Sequence, residues 1–146
     1  MSAIAHCTRM AAGALLVLAC ALTAVPAAAQ DPRAGAAQSA ARAWLVQVDK
    51  GDADASWNSA GAKFRDAFPL DKWRDALKTY RAPLGALDSR TATSTTFSTD
   101  VPDLPPGDYS NVQFRTNFAT KIDAHEAISL ERTADGTWLV IGYALR

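Results

Sequence analysis

The sequence predicts an α+β domain, with helices first and then an antiparallel sheet that they cover on one face. Two observations carry this. Between Asp31 and Tyr80 apolar residues recur at three-and-four spacing, whereas from Ser89 onward they alternate with period two. The strand-like runs follow one another through turn-rich connections, the order of hairpins rather than of parallel crossovers.

Asp31-Pro32 opens the first helix, a cap residue followed by proline at the first helical position. Ala37, Ala40, Ala41, Trp44, Leu45 and Val48 form its apolar stripe, and Gly51 ends it. A second short helix is expected from Asp52 or Asp54 through Trp57 toward Phe64 and Phe68, with Gly61 its weak point. Pro69 breaks the chain. Asp71 is expected to cap a third helix that turns Trp73, Ala76, Leu77 and Tyr80 to one side and stops before Pro83-Leu84-Gly85.

The threonine-rich stretch Ser89 to Thr99 reads as a first strand, and Pro102 to Asp108 as a turn-rich loop. Val112, Phe114, Thr116 and Phe118 then alternate with Asn111, Gln113, Arg115 and Asn117, a half-buried strand. Glu126, Ile128 and Leu130 share one face of the next strand, with His125, Ala127, Ser129 and Glu131 on the other. Asp135-Gly136 turns into Trp138 to Tyr143, which is apolar on both faces and so is expected to be central or covered on both sides. Gly142 in that run marks a bulge or a close backbone approach.

Ahead of this domain, residues 1–29 read as a cleavable export signal. Arg9 provides a positive start, an uncharged apolar run extends from Met10 to Val25, and Ala27-Ala28-Ala29 is a small-residue cleavage site. The expected product is a single domain, residues 30–146, that is periplasmic or secreted. Two alternatives place it at a membrane: acylation of Cys20, after the lipoprotein-like Val17-Leu18-Ala19, or retention of the leader as an anchor. Both cysteines, Cys7 and Cys20, leave with the leader, and so does His6. The 15 basic and 15 acidic residues balance, and the loss of Arg9 leaves the domain one acid in excess. That balance gives no reason to expect nucleic acid or an anionic membrane surface as a partner.

Several pieces in order resemble a family of small exported bacterial proteins, domain of unknown function 4019. They are Trp44-Leu45 with Val48-Asp49 and Gly51-Asp52, then Ser56-Trp57, Phe64, Arg81, Pro83-Leu84-Gly85 and Ser89-Arg90. Gly107, Tyr109, Phe114 to Phe118, Glu126, Leu130 and Gly136-x-Trp138-x-Val140-x-Gly142-Tyr143 complete the series. Ala53 and Leu139 depart from it, at positions expected to be aromatic and basic. The resemblance implies an NTF2-like cone, three helices against a curved four-stranded antiparallel sheet. That architecture hosts isomerases and dehydratases as well as inert binding and dimerisation modules, so it does not choose a function.

Among candidate residues Glu126 stands first. Pairing the two clearest strands through a turn near Ile122 sets it roughly opposite Phe118 among apolar neighbours, where burial would suit a carboxylate to acid–base work. The structural alternative pairs it with Lys121 or an arginine at the sheet rim. Arg81 and Arg90 flank the helix-to-sheet junction. They can face an anionic ligand, or Arg81 can cap helix carbonyls while Arg90 pairs with an acid. Trp57 and Tyr143 are the aromatics whose polar tips need partners if buried. His125, alone in the domain, supports neither a zinc site nor a catalytic dyad and is expected at the surface. No catalytic set, metal site or cofactor motif is assigned.

Three functions remain open on the sequence. The first is a non-catalytic exported domain binding a small apolar or anionic ligand, or a periplasmic protein, through Trp57, Arg81, Arg90, Glu126 and Tyr143. The second is a small-molecule isomerase or dehydratase with Glu126 as acid or base. The third is a structural homodimer built through the outer sheet face.

Overall fold

The computed structural model describes residues 31–146. The leader expected over residues 1–29, both cysteines and the Cys20 alternative lie outside the described residues. Among the described residues, no helix is long and apolar enough to cross a membrane.

Among the described residues four α-helices precede four strands, one helix more than expected. The first, α1 (Ala34–Asp49), buries Ala34, Ala37, Ala41, Trp44, Leu45 and Val48, the stripe set by its sequence period. Gly51 ends it at φ 70°, a conformation that suits glycine. Asp52 then caps α2 (Ala53–Ser59), its carboxylate accepting the Ala55 N–H at 2.9 Å.

The expected second helix is broken at Ala60 and Gly61, which are extended, and restarts as α3 (Ala62–Ala67). The break has a physical reason. The Gly61 N–H donates to the Val140 carbonyl of the last strand at 2.7 Å. A Cβ on Gly61 would stand 3.1 Å from Ile141 Cγ2 and 3.3 Å from that carbonyl. The helix gives way so that glycine can seal a sheet edge.

The next helix, α4 (Leu70–Ala76), starts directly after Pro69. Asp71 therefore lies within its first turn, complementing the helix dipole, rather than capping it as expected. Beyond Ala76 the helix widens into a π turn, Leu77–Arg81, in which the Ala82 N–H reaches back to the Leu77 carbonyl. Each residue of a π turn advances less around the axis. The inward position therefore passes from Tyr80 to Arg81: Tyr80 is 71% exposed, against the sequence expectation, and Arg81 only 4%. A short 3-10 turn, Ala82–Leu84, and Gly85 at φ 76° lead into the sheet.

The sheet is antiparallel in the order β1 (Leu87–Ser98), β2 (Tyr109–Phe118), β3 (Ala124–Arg132) and β4 (Trp138–Leu145). On β2 the inward residues Val112, Phe114, Thr116 and Phe118 are buried, as their alternation predicts. The last strand is an edge strand, so of the two expectations, central or covered on both sides, the first does not hold. Its two-sided apolar character reflects shielding of a different kind. Gly61 and α3 close its edge, and Ile141, on the outer face, helps line a hollow of about 230 Å³ with Val101, Leu104 and Tyr109.

Gly142 sits at the bulge anticipated for it. Ser129 pairs with Gly142 and Leu130 with Val140, leaving Ile141 as the extra residue. In a regular strand Val140 and Tyr143 would point to opposite faces, since three positions separate them. The bulge puts both on the inner face.

Candidate functional site

The interior divides into two halves. In one, Trp44 packs edge-on against Phe64 at 5.5 Å and against Tyr143 at 5.5 Å, and stacks with Trp73 at 5.7 Å. Ser56 serves their polar tips: its carbonyl accepts Trp44 Nε1–H at 2.8 Å and its hydroxyl accepts Trp73 Nε1–H at 2.9 Å. The other half, at the C-terminal end of α1, is ionic.

Four elements deliver that ionic half. The last residue of α1 contributes Asp49, the π turn Arg81, β1 Arg90 and β3 Glu126. Arg90 is the hub. Its guanidinium donates from Nε and Nη2 to Glu126 at 2.6 and 3.2 Å, and from Nη1 and Nη2 to Asp49 at 2.7 and 3.0 Å. Arg81 donates to Asp49 from Nη2 at 3.1 Å and Nε at 3.3 Å, and to the Gly85 carbonyl from Nη1 at 2.7 Å. Its guanidinium also lies 4.3 Å from the centre of the Phe118 ring. Two cations and two anions alternate, so no net charge is buried.

Glu126 is 1% exposed and fully engaged. Beside the two bonds from Arg90, Oε2 accepts Thr116 Oγ1–H at 2.6 Å and Oε1 accepts the Tyr143 hydroxyl at 2.8 Å. Each carboxylate oxygen thus accepts two hydrogen bonds, the capacity of its two lone-pair sites. The Glu126 partner on β2 is Phe114, not Phe118 as expected, because Thr116 pairs with Ala124 and sets the register. Neither Lys121 nor the sheet rim is involved.

The surroundings fix the protonation states of its donors. Burial alone would pull the Arg90 guanidinium down, but hydrogen bonds and charge from Asp49 and Glu126 outweigh it and hold the group above the ordinary arginine value. Burial, then the charge and hydrogen bond of Glu126, hold the Tyr143 phenol well above its ordinary value. Both therefore remain donors throughout the neutral range.

Of the five residues singled out by the sequence, four meet here: Arg81, Arg90, Glu126 and Tyr143. Trp57 does not. Its ring is half-buried on α2, its Nε1–H donates to the Phe68 carbonyl at 2.7 Å, and Arg65 lies 5.7 Å from the ring centre. His125 is exposed, on the opposite face of β3 from Glu126.

Sequence reasoning missed Asp49 and Thr116, although each carried a signal. Asp49 is an acid in the last turn of a helix that has no base there, where the dipole disfavours it unless a cation compensates. Thr116 is a hydroxyl at an inward position between Phe114 and Phe118 and needs a partner once buried.

Two openings border the network, one on each side of the π turn. A charged cleft of about 580 Å³ runs between the α1–α2 turn and α4, with Asp49 and Arg81 in its wall. An apolar groove of about 210 Å³ lies between α4 and β4, lined by Phe68, Trp73, Tyr80, Tyr143 and Leu145. Leu77 and Arg81 border both. Among the described residues, no three of His, Cys, Asp and Glu are grouped so as to hold a metal ion.

Helices on one face of an antiparallel sheet, with an alternating ionic network between them, define a small α+β domain with a self-neutralised polar core. The chain belongs to the family described as "Protein of unknown function (DUF4019)", whose match spans residues 40–143 and so includes every member of the network. A 2.5 Å structure from Catenulispora acidiphila is similar over 77% of this chain and 88% of its own, at a TM-score of 0.46 and 13% identity. No curated protein matches the chain.

Proposed function

We propose that this is an exported, non-catalytic binding domain with an NTF2-like cone architecture, and that it takes a small solute in the cleft beside Arg81 and Asp49. The observation that carries this reading is the state of Glu126. A general acid or base must offer a lone pair or proton to the substrate, and all four acceptor sites of Glu126 are held by Arg90, Thr116 and Tyr143. The aromatic half of the interior is packed by Trp44, Phe64 and Trp73, which favours structure over an enclosed reaction chamber. The cleft, by contrast, has the size of an ordinary small-molecule site, roughly 300–1,000 Å³.

In this reading the leader read over residues 1–29 directs the domain to the periplasm or outside the cell. A panel of soluble metabolites tested by thermal shift on the purified protein checks the reading. A true ligand at about 100 times its dissociation constant adds about 2.7 kcal/mol, a rise of several degrees in a domain of this size. No stabilisation by any compound, together with turnover of an isomerase or dehydratase substrate that Glu126→Gln abolishes, would overturn it. The homodimer alternative predicts a dimer at micromolar concentration, and a monomer in light scattering removes it.

A further inference from the structure

We infer that the cleft beside Arg81 takes a small organic anion with at least two acidic groups, held between Lys50 and Lys78. This rests on the cleft-binding reading above and goes on to name the ligand class.

Most charges in the cleft wall are already engaged within the fold. Every acid there has a partner within the fold. Asp49 accepts from Arg81 and Arg90, Asp52 caps the Ala55 N–H, and Asp54 pairs with Arg74. That last pair also occupies Arg74. Lys50 and Lys78 line the same cleft and have, among the described residues, no side-chain hydrogen bond or ion pair. Arg81 uses only one N–H on each terminal nitrogen, leaving a second donor on each. Four cations (Lys50, Arg74, Lys78 and Arg81) thus face three acids (Asp49, Asp52 and Asp54), so the wall carries net positive charge, and its groups without an ionic partner are the two lysines and the Asp52 carboxylate.

Size and placement narrow the class further. A space of about 580 Å³ is far more than an inorganic ion fills. Lys50 follows the last residue of α1 and Lys78 lies in the π turn, so the two ammonium groups come from the two elements that border the cleft. Two acidic groups on a short organic frame offer each lysine a partner, with the Arg81 guanidinium in the same wall.

The test is a calorimetric and thermal-shift titration of the purified protein with citrate and succinate, against acetate and inorganic phosphate at matched ionic strength. Citrate or succinate is expected to raise the melting temperature saturably, well beyond acetate or phosphate. The double substitution Lys50→Ala/Lys78→Ala should weaken binding by about tenfold or more while leaving the ligand-free melt unchanged, since both side chains are exposed. High salt should weaken binding to the original protein more than to the double variant.

The assignment is overturned if neither organic acid binds, if phosphate binds as tightly, or if the double variant binds with unchanged affinity. Should a neutral or cationic compound stabilise the protein equally in both forms, only the anion assignment falls and the binding reading stands. Should no compound of any charge bind, the binding reading itself falls.

Discussion

The two halves of the interior are held together by forces of different kinds. The aromatic half, around Trp44, Phe64 and Trp73, gains stability from area removed from water and from edge and stacked ring contacts, which tolerate small shifts. The ionic half gains nothing from area. Its charges have left water, and only the completeness of the hydrogen bonding among Asp49, Arg81, Arg90 and Glu126 offsets that cost. The first half should fail gradually when altered. The second should fail as a unit.

Conservative substitutions expose that contrast most strongly. Phe64→Leu keeps an apolar side chain but gives up volume and ring contacts, and is expected to cost about 1–2 kcal/mol. Arg90→Lys keeps the charge but removes the planar fork that serves Glu126 and Asp49 together, with an expected loss of about 3 kcal/mol. Urea unfolding of the two variants checks this, and equal losses would mean that the ionic half is no more exacting than the aromatic one.

A smaller effect is expected where the halves touch. Tyr143 packs on Trp44 and donates to Glu126, so Tyr143→Phe keeps the packing and removes one hydrogen bond to a charged group, about 1.5–3 kcal/mol. The same residue makes stability pH-dependent in the alkaline range. Its folded phenol is held above the ordinary value, so its contribution is complete below about pH 10 and is lost as pH rises beyond it. Alkaline melts should show this decline in the original protein and a shallower one in Tyr143→Phe, and superimposable declines would contradict the role given to the hydroxyl.

The halves also differ in how far the sequence discloses them. The apolar stripe of α1 and the inward row of β2 follow from local periods, because burial of a helix or strand face repeats along the chain. The ionic half has no period. Arg90 lies 41 residues from Asp49 and 36 from Glu126, and nothing local states which charges will meet. Two backbone irregularities make the meeting possible, the π turn that brings Arg81 inward and the bulge that brings Tyr143 inward. The first exchanges Tyr80 for Arg81, which is why the expected helix face was wrong by one residue at its end. Gly142 signalled the second, but not which side chain it would redirect. The break at Gly61 was legible as a weak point, whereas its cause, a bond to Val140, is a tertiary contact.

Glu126 and Arg90 are thus halves of one structural unit rather than a reactive carboxylate and its neighbour. A double-mutant cycle of Glu126→Leu and Arg90→Leu, followed by chemical unfolding, tests it most directly. Each single substitution strands a buried charge and should cost about 3–5 kcal/mol. The double variant should lose clearly less than the sum, with a coupling of about 2 kcal/mol or more. Additive losses, or single substitutions costing under about 1 kcal/mol, would contradict the account.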